Sequence, residues 1–296
     1  MTGWFTALPG TVRGPILMVL GGVSLTLMAV VIRNLSDKFS VLEMIFLRSV
    51  VSFLLILPWA IRQGAARLRT GRPFLHLFRN IIHYLGNVGW FLGVTLVPLA
   101  ELQALQFTVP LFMIIMAALI LRENVGVNRW TTVAVGFLGA LIIIRPGLVE
   151  ISLGAVAVVV AAFFYASSQT ATKLLSRTDS PNVILFYMTV IFIPVSALPA
   201  AFDWVTPGWE DAVPIFLLGV FGYAAHGFLI RSFAAADASF VIPFDFLRLP
   251  VAAAVGYVLY REAPDLWTWA GAVVIFATTW YGTYAETRRG RTEMKS

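Results

Sequence analysis

The chain has 296 residues, of which 59% are hydrophobic and only 12% are charged, whereas a soluble domain carries roughly 25% charged residues. Together with a mean hydropathy of +0.86, this composition excludes an ordinary soluble domain and indicates a polytopic membrane protein. The chain contains no cysteine, which excludes disulfides, thiolate metal sites and cysteine nucleophiles. Its net charge of +6 comes from short loops between apolar stretches, an arrangement that argues against nucleic-acid binding.

Ten apolar stretches predict membrane-spanning helices, because a bilayer core about 30 Å thick needs roughly 20 apolar residues in helical form. The fifth stretch is the shortest, and the connections between stretches are brief. In chain order the predicted spans are Gly14–Ile32, Val41–Ile61, His76–Val97, Ala100–Leu121, Trp130–Ile144, Leu153–Leu174, Val183–Phe202, Ala212–Ile230, Ala238–Tyr260 and Leu266–Ala285.

The cationic residues between the spans predict the orientation of the chain, because Lys and Arg remain on the cytoplasmic side. With the N-terminus inside, the cytoplasmic set comprises Arg13, Arg62, Arg67, Arg69, Arg72, Arg79, Arg122, Arg129, Lys173, Arg177, Arg231, Arg288, Arg289, Arg291 and Lys295. The outer set comprises only Arg33, Lys38, Arg145 and Arg261. This bias predicts a bacterial-type cytoplasmic membrane as the location, with both termini in the cytoplasm.

The chain also matches itself at a shift of 140 residues. The matched pairs include Gly14/Gly154, Arg33/Lys173, Leu35/Leu175, Phe46/Phe186 and Pro110/Pro250, and after the loss of one residue Arg122-Glu123 falls on Arg261-Glu262. The match predicts two repeats of five spans each, residues 1–147 and 148–296. Because a unit that crosses the membrane five times leaves its copy on the opposite side, the repeats are predicted to be inverted. The predicted fold is all-α, with a central cavity of the kind that many secondary transporters enclose.

Several motifs resemble those of EamA-type transporters of the drug/metabolite transporter superfamily. They are Leu121-Arg122-Glu123, Arg129-Trp130, Gly136-Phe137-Leu138-Gly139, Arg145-Pro146-Gly147, Tyr260-Arg261-Glu262 and the run from Pro243 to Pro250. The resemblance implies ten helices in two inverted repeats around a cavity. It also implies a function among exporters of amino acids and importers of compounds such as S-adenosylmethionine or riboflavin. The second half has Ile275 and Thr278 where the first has Gly136 and Gly139, so the tenth helix is expected to pack differently from the fifth.

Ionisable residues inside the predicted spans are candidates for the substrate site, because a charge at membrane depth is costly. Asp245 and Arg248 are three residues apart and share one helix face. One interpretation is a clamp in which Arg248 binds a carboxylate and Asp245 binds an amine or a proton. The other is a structural pair that neutralises itself. The positions that match this pair in the first half are Leu105 and Thr108, so the pair breaks the repeat symmetry.

Arg48 in the second span is expected to contact substrate, to bond backbone carbonyls or to snorkel outward. His83 and Asn87 are four residues apart on the third span and therefore face the same way. His83 and His226 are candidates for proton coupling, because histidine titrates near pH 6.5, or for hydrogen-bonded packing residues. The other predicted substrate-binding residues are Trp90, Gln106, Tyr165, Gln169 and Tyr223.

The residues predicted as hinges or gates are Pro110, Pro250, Arg122, Glu123, Arg261 and Glu262. No GxxxxGK[ST] loop, HExxH motif or cysteine cluster occurs in the sequence, so neither ATP nor a metal is expected as a cofactor. The leading hypothesis is a secondary transporter that exports amino acids by alternating access, as a monomer with its own substrate site. The alternatives are an importer of S-adenosylmethionine, riboflavin or a similar solute, a membrane-embedded lipid enzyme, and a passive channel.

Overall fold

The computed structural model describes residues 8–64, 68–119, 127–145, 152–235, 241 and 244–293, and the regular elements among them are all helical. In chain order the helices are α1 (Gly10–Leu35), α2 (Val41–Gln63), α3 (Pro73–Leu96), α4 (Leu99–Gln106), α5 (Val109–Leu119), α6 (Val127–Ile144), α7 (Leu153–Leu175), α8 (Pro181–Ala200), α9 (Ala212–Ala235), α10 (Arg248–Tyr260) and α11 (Leu266–Glu293). Two short 3-10 turns, Ala201–Asp203 and Trp209–Asp211, lie between α8 and α9.

Six stretches of the described residues are long and apolar enough to cross a membrane. They are Gly10–Leu35, Val41–Gln63, Leu99–Met116, Leu153–Thr172, Pro181–Asp203 and Trp209–Ser232. Three shorter apolar helices, Trp130–Ile144, Arg248–Tyr260 and Leu266–Thr278, fall at the fifth, ninth and tenth predicted spans. A membrane-spanning helical protein is therefore the fold class, while the number of ten spans remains a prediction.

The third predicted span is a long helix that is too polar to count as a span by composition. α3 has 24 residues, and its buried polar side chains recur at helical spacing. They are His76, Arg79, Asn80, His83 and Asn87. The opposite face is apolar and exposed, with Phe74, Phe78 and Ile81 on it. α3 thus turns a polar stripe into the bundle and an apolar face outward, the arrangement expected of a helix that borders a polar interior in a membrane.

The fourth and ninth predicted spans are each interrupted near the middle. The first interruption, at Phe107 and Thr108, separates α4 from α5, and the second, at Phe246 and Leu247, precedes α10. Pro110 and Pro250 lie in the first turn of the helices that follow, where the missing amide hydrogen removes no intrahelical bond. The rings of Phe107 and Phe246 lie 4.2 Å apart between centroids. The two interruptions therefore face each other inside the bundle.

Helices of the first half of the chain pack against helices of the second half. α1 packs on α9 and α3 on α7, while α2 pairs with α8, α4 with α10 and α6 with α11. Glycines permit close approach at these crossings. A Cβ on Gly89 of α3 would lie 2.7 Å from the Ala157 oxygen of α7, and one on Gly139 of α6 would lie 3.0 Å from the Gly271 oxygen of α11.

One end of the bundle is joined by an ion pair and backbone hydrogen bonds. Arg33 at the end of α1 pairs with Glu262 beyond α10. The Arg33 guanidinium also donates to the carbonyl of Val94, at 2.7 Å, and to that of Val97. The Leu99 amide donates to Glu262 Oε2 at 3.0 Å. We call this the Glu262 end, and the loop charges predict that it faces away from the cytoplasm.

A more exposed ion-pair cluster lies at the same end, between α1 and the start of α9. Lys38 Nζ lies 3.0 Å from Glu210 Oε1 and 2.5 Å from Asp211 Oδ2. The hydrogen bond to Asp211 raises the pKa of Lys38, and the same bond lowers the pKa of Asp211. The cluster thus joins two loops at the Glu262 end.

The opposite end is joined through Asp179, which lies between α7 and α8. Its Oδ2 lies 2.8 Å from His76 Nε2 and 2.7 Å from Thr70 Oγ1. Arg72 donates to the Leu174 carbonyl at 3.3 Å. These contacts hold the α7–α8 connection against the beginning of α3. We call this the Asp179 end, and it is the end that the loop charges predict to be cytoplasmic.

Candidate functional site

A small cavity lies between α2, α8 and α9. Each helix contributes residues from its middle turns to the lining, and the lining combines hydroxyl, guanidinium and imidazole groups with aromatic rings. The lining residues are Arg48, Ser49, Ser52, Met188, Thr189, Phe192, Gly222, Tyr223 and His226. The structure thus brings three of the predicted binding residues, Arg48, Tyr223 and His226, to one cavity.

Arg48 supplies a buried positive charge to this cavity. Only 3% of the residue is exposed, which rules out the alternative in which its guanidinium snorkels outward. The guanidinium carbon lies 5.4 Å from the Phe91 ring centroid and 5.7 Å from that of Phe192. Within the described part of the chain, no carboxylate forms an ion pair with it. A Cβ on Gly222 would lie 3.0 Å from Arg48 Cδ, so this glycine makes room for the arginine.

The two candidate histidines meet next to Arg48. Their ring centroids lie 5.4 Å apart, although they are on α3 and α9. His83 also contacts the rings of Tyr165, at 5.1 Å, and Phe192, at 5.6 Å. His83 Nδ1 lies 3.3 Å from Ser168 Oγ, and its Nε2 is buried without a partner among the described residues. The histidines therefore connect the cavity to the polar stripe of α3.

Asp245 and Arg248 form a second charged group near the interruption before α10. Asp245 Oδ2 lies 3.3 Å from Arg248 Nη2, and their side chains are 26% and 11% exposed. Asp245 Oδ1 and Arg248 Nε are buried without a partner among the described residues. The Arg248 guanidinium lies 5.4 Å from the Phe107 ring centroid. The pair is thus neutralised internally, yet each member keeps a polar atom that a ligand can bind.

The pair lies beyond the lining of the cavity, and Tyr165 of α7 lies beside the cavity. Its ring lies 5.1 Å from that of His83, which contacts the lining residue Phe192. Tyr165 also fills the space beside Gly86 of α3, where a Cβ would lie 3.0 Å from its ring carbons. Tyr165 therefore packs between α3 and α7 next to the residues that border the cavity.

Three of the four remaining predicted binding residues have structural contacts. Asn87 donates to the His83 carbonyl at 2.8 Å, and Gln106 donates to the Val158 carbonyl at 3.3 Å. Trp90 is buried beside Phe91, with 5.8 Å between ring centroids. Gln169 is exposed on α7. A direct contact of these residues with substrate remains a prediction.

The predicted gate residues divide between described and undescribed parts of the chain. Arg122 and Glu123 lie outside the described residues. Arg261 is exposed and adopts a left-handed backbone with φ of 58°, so it ends α10 in the manner of a C-cap residue. Glu262 forms the ion pair with Arg33. Of the predicted gate residues, Glu262 therefore has the contacts that a gate at this end requires.

Arg79 is a polar residue of the interior that the sequence analysis assigned to the cytoplasmic surface charge. It lies inside α3 and is only 7% exposed. Its Nε donates to Thr172 Oγ1 at 3.0 Å, and its Nη1 donates to Asn80 Oδ1 at 2.7 Å. The four-residue spacing from Arg79 to His83 was the signal that could have placed both on one helix face.

Comparison with known proteins identifies the family to which this arrangement belongs. Residues 12–145 and 152–281 each match the EamA-like transporter family, in agreement with the resemblance noted from the sequence. A crystal structure of another protein superimposes with a TM-score of 0.64 at 15% identity and covers 94% of this chain and 98% of its own. That likeness concerns the fold alone.

Three curated relatives cover most of the chain. The S-adenosylmethionine uptake transporter of Rickettsia prowazekii is 30% identical over 276 residues, which cover 90% of this chain and 94% of the relative. The riboflavin transporter of Rhizobium johnstonii is 34% identical over 283 residues, which cover 95% of this chain and 94% of the relative. A pseudopaline exporter of Pseudomonas aeruginosa is 30% identical over 265 residues, which cover 88% of this chain and 93% of the relative.

Proposed function

Because the chain belongs to the EamA-like transporter family, and is therefore a multi-pass transporter of small molecules rather than an enzyme, we propose that it is a secondary transporter. It moves an organic solute that carries a carboxylate, by alternating access, through two inverted repeats of five spans. The pairing of helices between the two halves and the facing interruptions of the fourth and ninth spans support this architecture, since discontinuous helices often form the substrate sites of such carriers.

The observation that carries the proposal is the unneutralised guanidinium of Arg48 in the cavity. Removing a charge from water costs several kcal/mol unless a partner compensates it. The rings of Phe91 and Phe192 supply cation–π contacts, which compensate only part of that cost. A carboxylate accepts two parallel hydrogen bonds from a guanidinium. A carboxylate of the solute is therefore the ligand that completes the site.

The surroundings of Arg48 define the rest of the solute. Phe192 and Tyr223 border the same cavity and favour an apolar or aromatic body. The pair of Asp245 and Arg248 offers a carboxylate oxygen to an amine of the solute. A free amino acid with an aromatic side chain and S-adenosylmethionine both combine these groups. Amino-acid export, the hypothesis from the sequence, is one form of this proposal.

A second candidate substrate is riboflavin, which has no carboxylate. The aromatic rings around the cavity favour it, since Phe192 and Tyr223 can stack on a flat ring system. It leaves the charge of Arg48 without a partner, and for that reason we rank it below a carboxylate solute. Relatives of comparable identity are named as uptake transporters and as an exporter, so the proposal concerns the chemistry of the solute, and the direction is a separate measurement.

Counterflow in liposomes tests the proposal. Purified protein is reconstituted in vesicles loaded with unlabelled phenylalanine, S-adenosylmethionine or riboflavin, and entry of the same labelled compound is followed. Saturable exchange of phenylalanine or S-adenosylmethionine that Arg48→Gln abolishes and Arg177→Gln preserves is the expected result, because Arg177 is exposed and distant from the cavity lining. Exchange of riboflavin alone, exchange of none of the three, or full activity of Arg48→Gln would contradict the proposal.

Alternating access also requires that the two ends open in turn. The Glu262 end is closed by Arg33 and Glu262, and the Asp179 end by His76 and Asp179. We assign these two contacts as the gates of the cycle, since small polar contacts that break and re-form are a common way to switch packed elements between two states. Pro110 and Pro250, which follow the helix interruptions, are proposed as the positions about which the helices bend.

A further inference from the structure

A chain of buried polar groups on α3 runs from the Asp179 end to the cavity. His76 is fully buried in contact with Asp179, and Arg79 follows three residues later. His83, four residues beyond Arg79, contacts Phe192 and His226, both of which line the cavity. With a helical rise of about 1.5 Å per residue, Arg79 lies about 6 Å along the axis from His83. Arg79 is thus placed one turn from the cavity edge, toward the Asp179 end.

The charge of Arg79 has only neutral partners. Its two hydrogen bonds go to the hydroxyl of Thr172 and the amide oxygen of Asn80, and no carboxylate in the described part of the chain pairs with it. The nearby Asp179 carboxylate bonds His76 and Thr70 instead. These neutral contacts fix the direction of the guanidinium and leave its charge uncompensated. Such an arrangement favours the transient binding of an anionic ligand.

Arg48 in the cavity and Arg79 one turn beyond His83 are therefore two buried cations, placed one after the other between the cavity and the Asp179 end. An anion that leaves the cavity past His83 toward the Asp179 end meets Arg79 about one helical turn beyond His83. Without a second cation it would cross this part of the bundle with its charge unpaired, which costs several kcal/mol. A second cation lowers that barrier in the same way that successive sites permit ions to leave a pore.

The following inference rests on the proposed function. We infer that Arg79 is a second anion-binding station, which holds the carboxylate of the solute between the Arg48 cavity and the Asp179 end. Solute that enters from the Asp179 end binds Arg79 first, and solute that enters from the Glu262 end reaches Arg79 only after the cavity. Loss of Arg79 therefore weakens binding from one side of the membrane, whereas loss of Arg48 weakens binding from both.

Transport from each side separately tests this inference. Because the chain contains no cysteine, the exposed Arg177 is replaced by cysteine in every variant, and its labelling by an impermeant reagent identifies vesicles of each orientation. The half-saturating concentrations of labelled phenylalanine and S-adenosylmethionine are then measured from both sides. Arg79→Gln is expected to raise the half-saturating concentration measured from the Asp179 end about tenfold, which corresponds to about 1.4 kcal/mol. The half-saturating concentration measured from the Glu262 end should change by no more than about twofold. Arg79→Lys should restore most of the loss.

Each other outcome contradicts a distinct statement. Equal changes on both sides, or no change on either side, overturn the role of Arg79 while Arg48 keeps its own. Two outcomes indicate that Arg79 only packs against Thr172 and Asn80. One is a lower maximal rate with an unchanged half-saturating concentration on both sides. The other is that Arg79→Gln fails to fold, while Arg79→Lys folds and has the same half-saturating concentration as the unsubstituted chain on both sides. Retained transport in Arg48→Gln, or no transport of either compound by the unsubstituted chain, contradicts the proposed function itself.

Discussion

Replacing Glu262 by Gln is predicted to open the Glu262 end of the transporter more often. The carboxylate joins three segments: it pairs with Arg33 of α1, accepts from the Leu99 amide at 3.0 Å, and itself follows α10. Glutamine has nearly the same shape and retains one carbonyl acceptor. The substitution therefore removes the charge from the contact while it keeps the packing, which makes its effect a measure of the ionic part.

The size of the effect follows from burial and bond type. The side chains of Arg33 and Glu262 are 12% and 23% exposed, so the pair is more shielded than a surface salt bridge, whose worth is about 0–1 kcal/mol. Hydrogen bonds to charged groups contribute about 1.5–3 kcal/mol. Because Arg33 keeps the carbonyls of Val94 and Val97, we expect a loss near the lower limit, about 1.5 kcal/mol. That loss raises the population open at this end about tenfold.

A single cysteine in the cavity measures this population. Ser52 lines the cavity and is 7% exposed, and the chain supplies no other thiol. In Ser52→Cys cells, a membrane-impermeant maleimide added from outside should react about tenfold faster when Glu262→Gln is present. Glu210→Gln is the matched control, because Glu210 belongs to the exposed Lys38 cluster at the same end, with 73% of its side chain exposed. Equal rates for Glu262→Gln and Glu210→Gln would refute the assignment of Glu262 as a gate.

Three further outcomes are expected. Asp179→Asn weakens the contact at the opposite end, so it should slow outside labelling of Ser52→Cys, and faster labelling would contradict this. Gly139→Ala places a Cβ 2.7 Å from a side chain and 3.0 Å from a backbone oxygen of α11. This crowding should cost about 1–3 kcal/mol and lower the melting temperature by several degrees. Gly71→Ala should leave the melting temperature unchanged, because a Cβ there has nothing within 4 Å. The lysine partner lowers the pKa of Asp211, so the stability that this carboxylate contributes is present above its ordinary pKa of 3.8 and disappears as the pH falls through the lowered value. Asp211→Asn should therefore have a lower melting temperature than the unsubstituted chain at neutral pH, and the two melting temperatures should converge in strong acid.

The helical class and most helix positions could be predicted from the sequence, because the length and hydropathy of an apolar stretch depend on local composition. The predicted second span, Val41–Ile61, corresponds to α2 at Val41–Gln63. The interruptions were not predicted, because an apolar stretch with a proline is compatible with a bend, a break or a straight helix. The structure has breaks at these places, where Phe107 and Phe246 are in contact although they are far apart in the chain.

The candidate site was predicted less completely. Arg48, Tyr223 and His226 were identified because polar groups are rare at membrane depth, and they line the same cavity. The contact between His83 and His226 could not be predicted, since it depends on how α3 and α9 are rotated about their axes. Arg79 was assigned to the surface because it is near a span boundary, where an arginine can either reach water or turn inward, and composition does not separate the two.

The two interruptions have a consequence for how such a carrier can change during evolution. The first lies directly before α5 and the second directly before α10, at positions that the internal sequence match places in equivalent parts of the two halves. A substitution that stiffens the joint at Thr108 leaves the one at Leu247 as it was. In the proposed cycle, opening toward one compartment can therefore be slowed or hastened by itself, so that an uptake carrier and an exporter can arise from one scaffold through separate adjustment of two articulations.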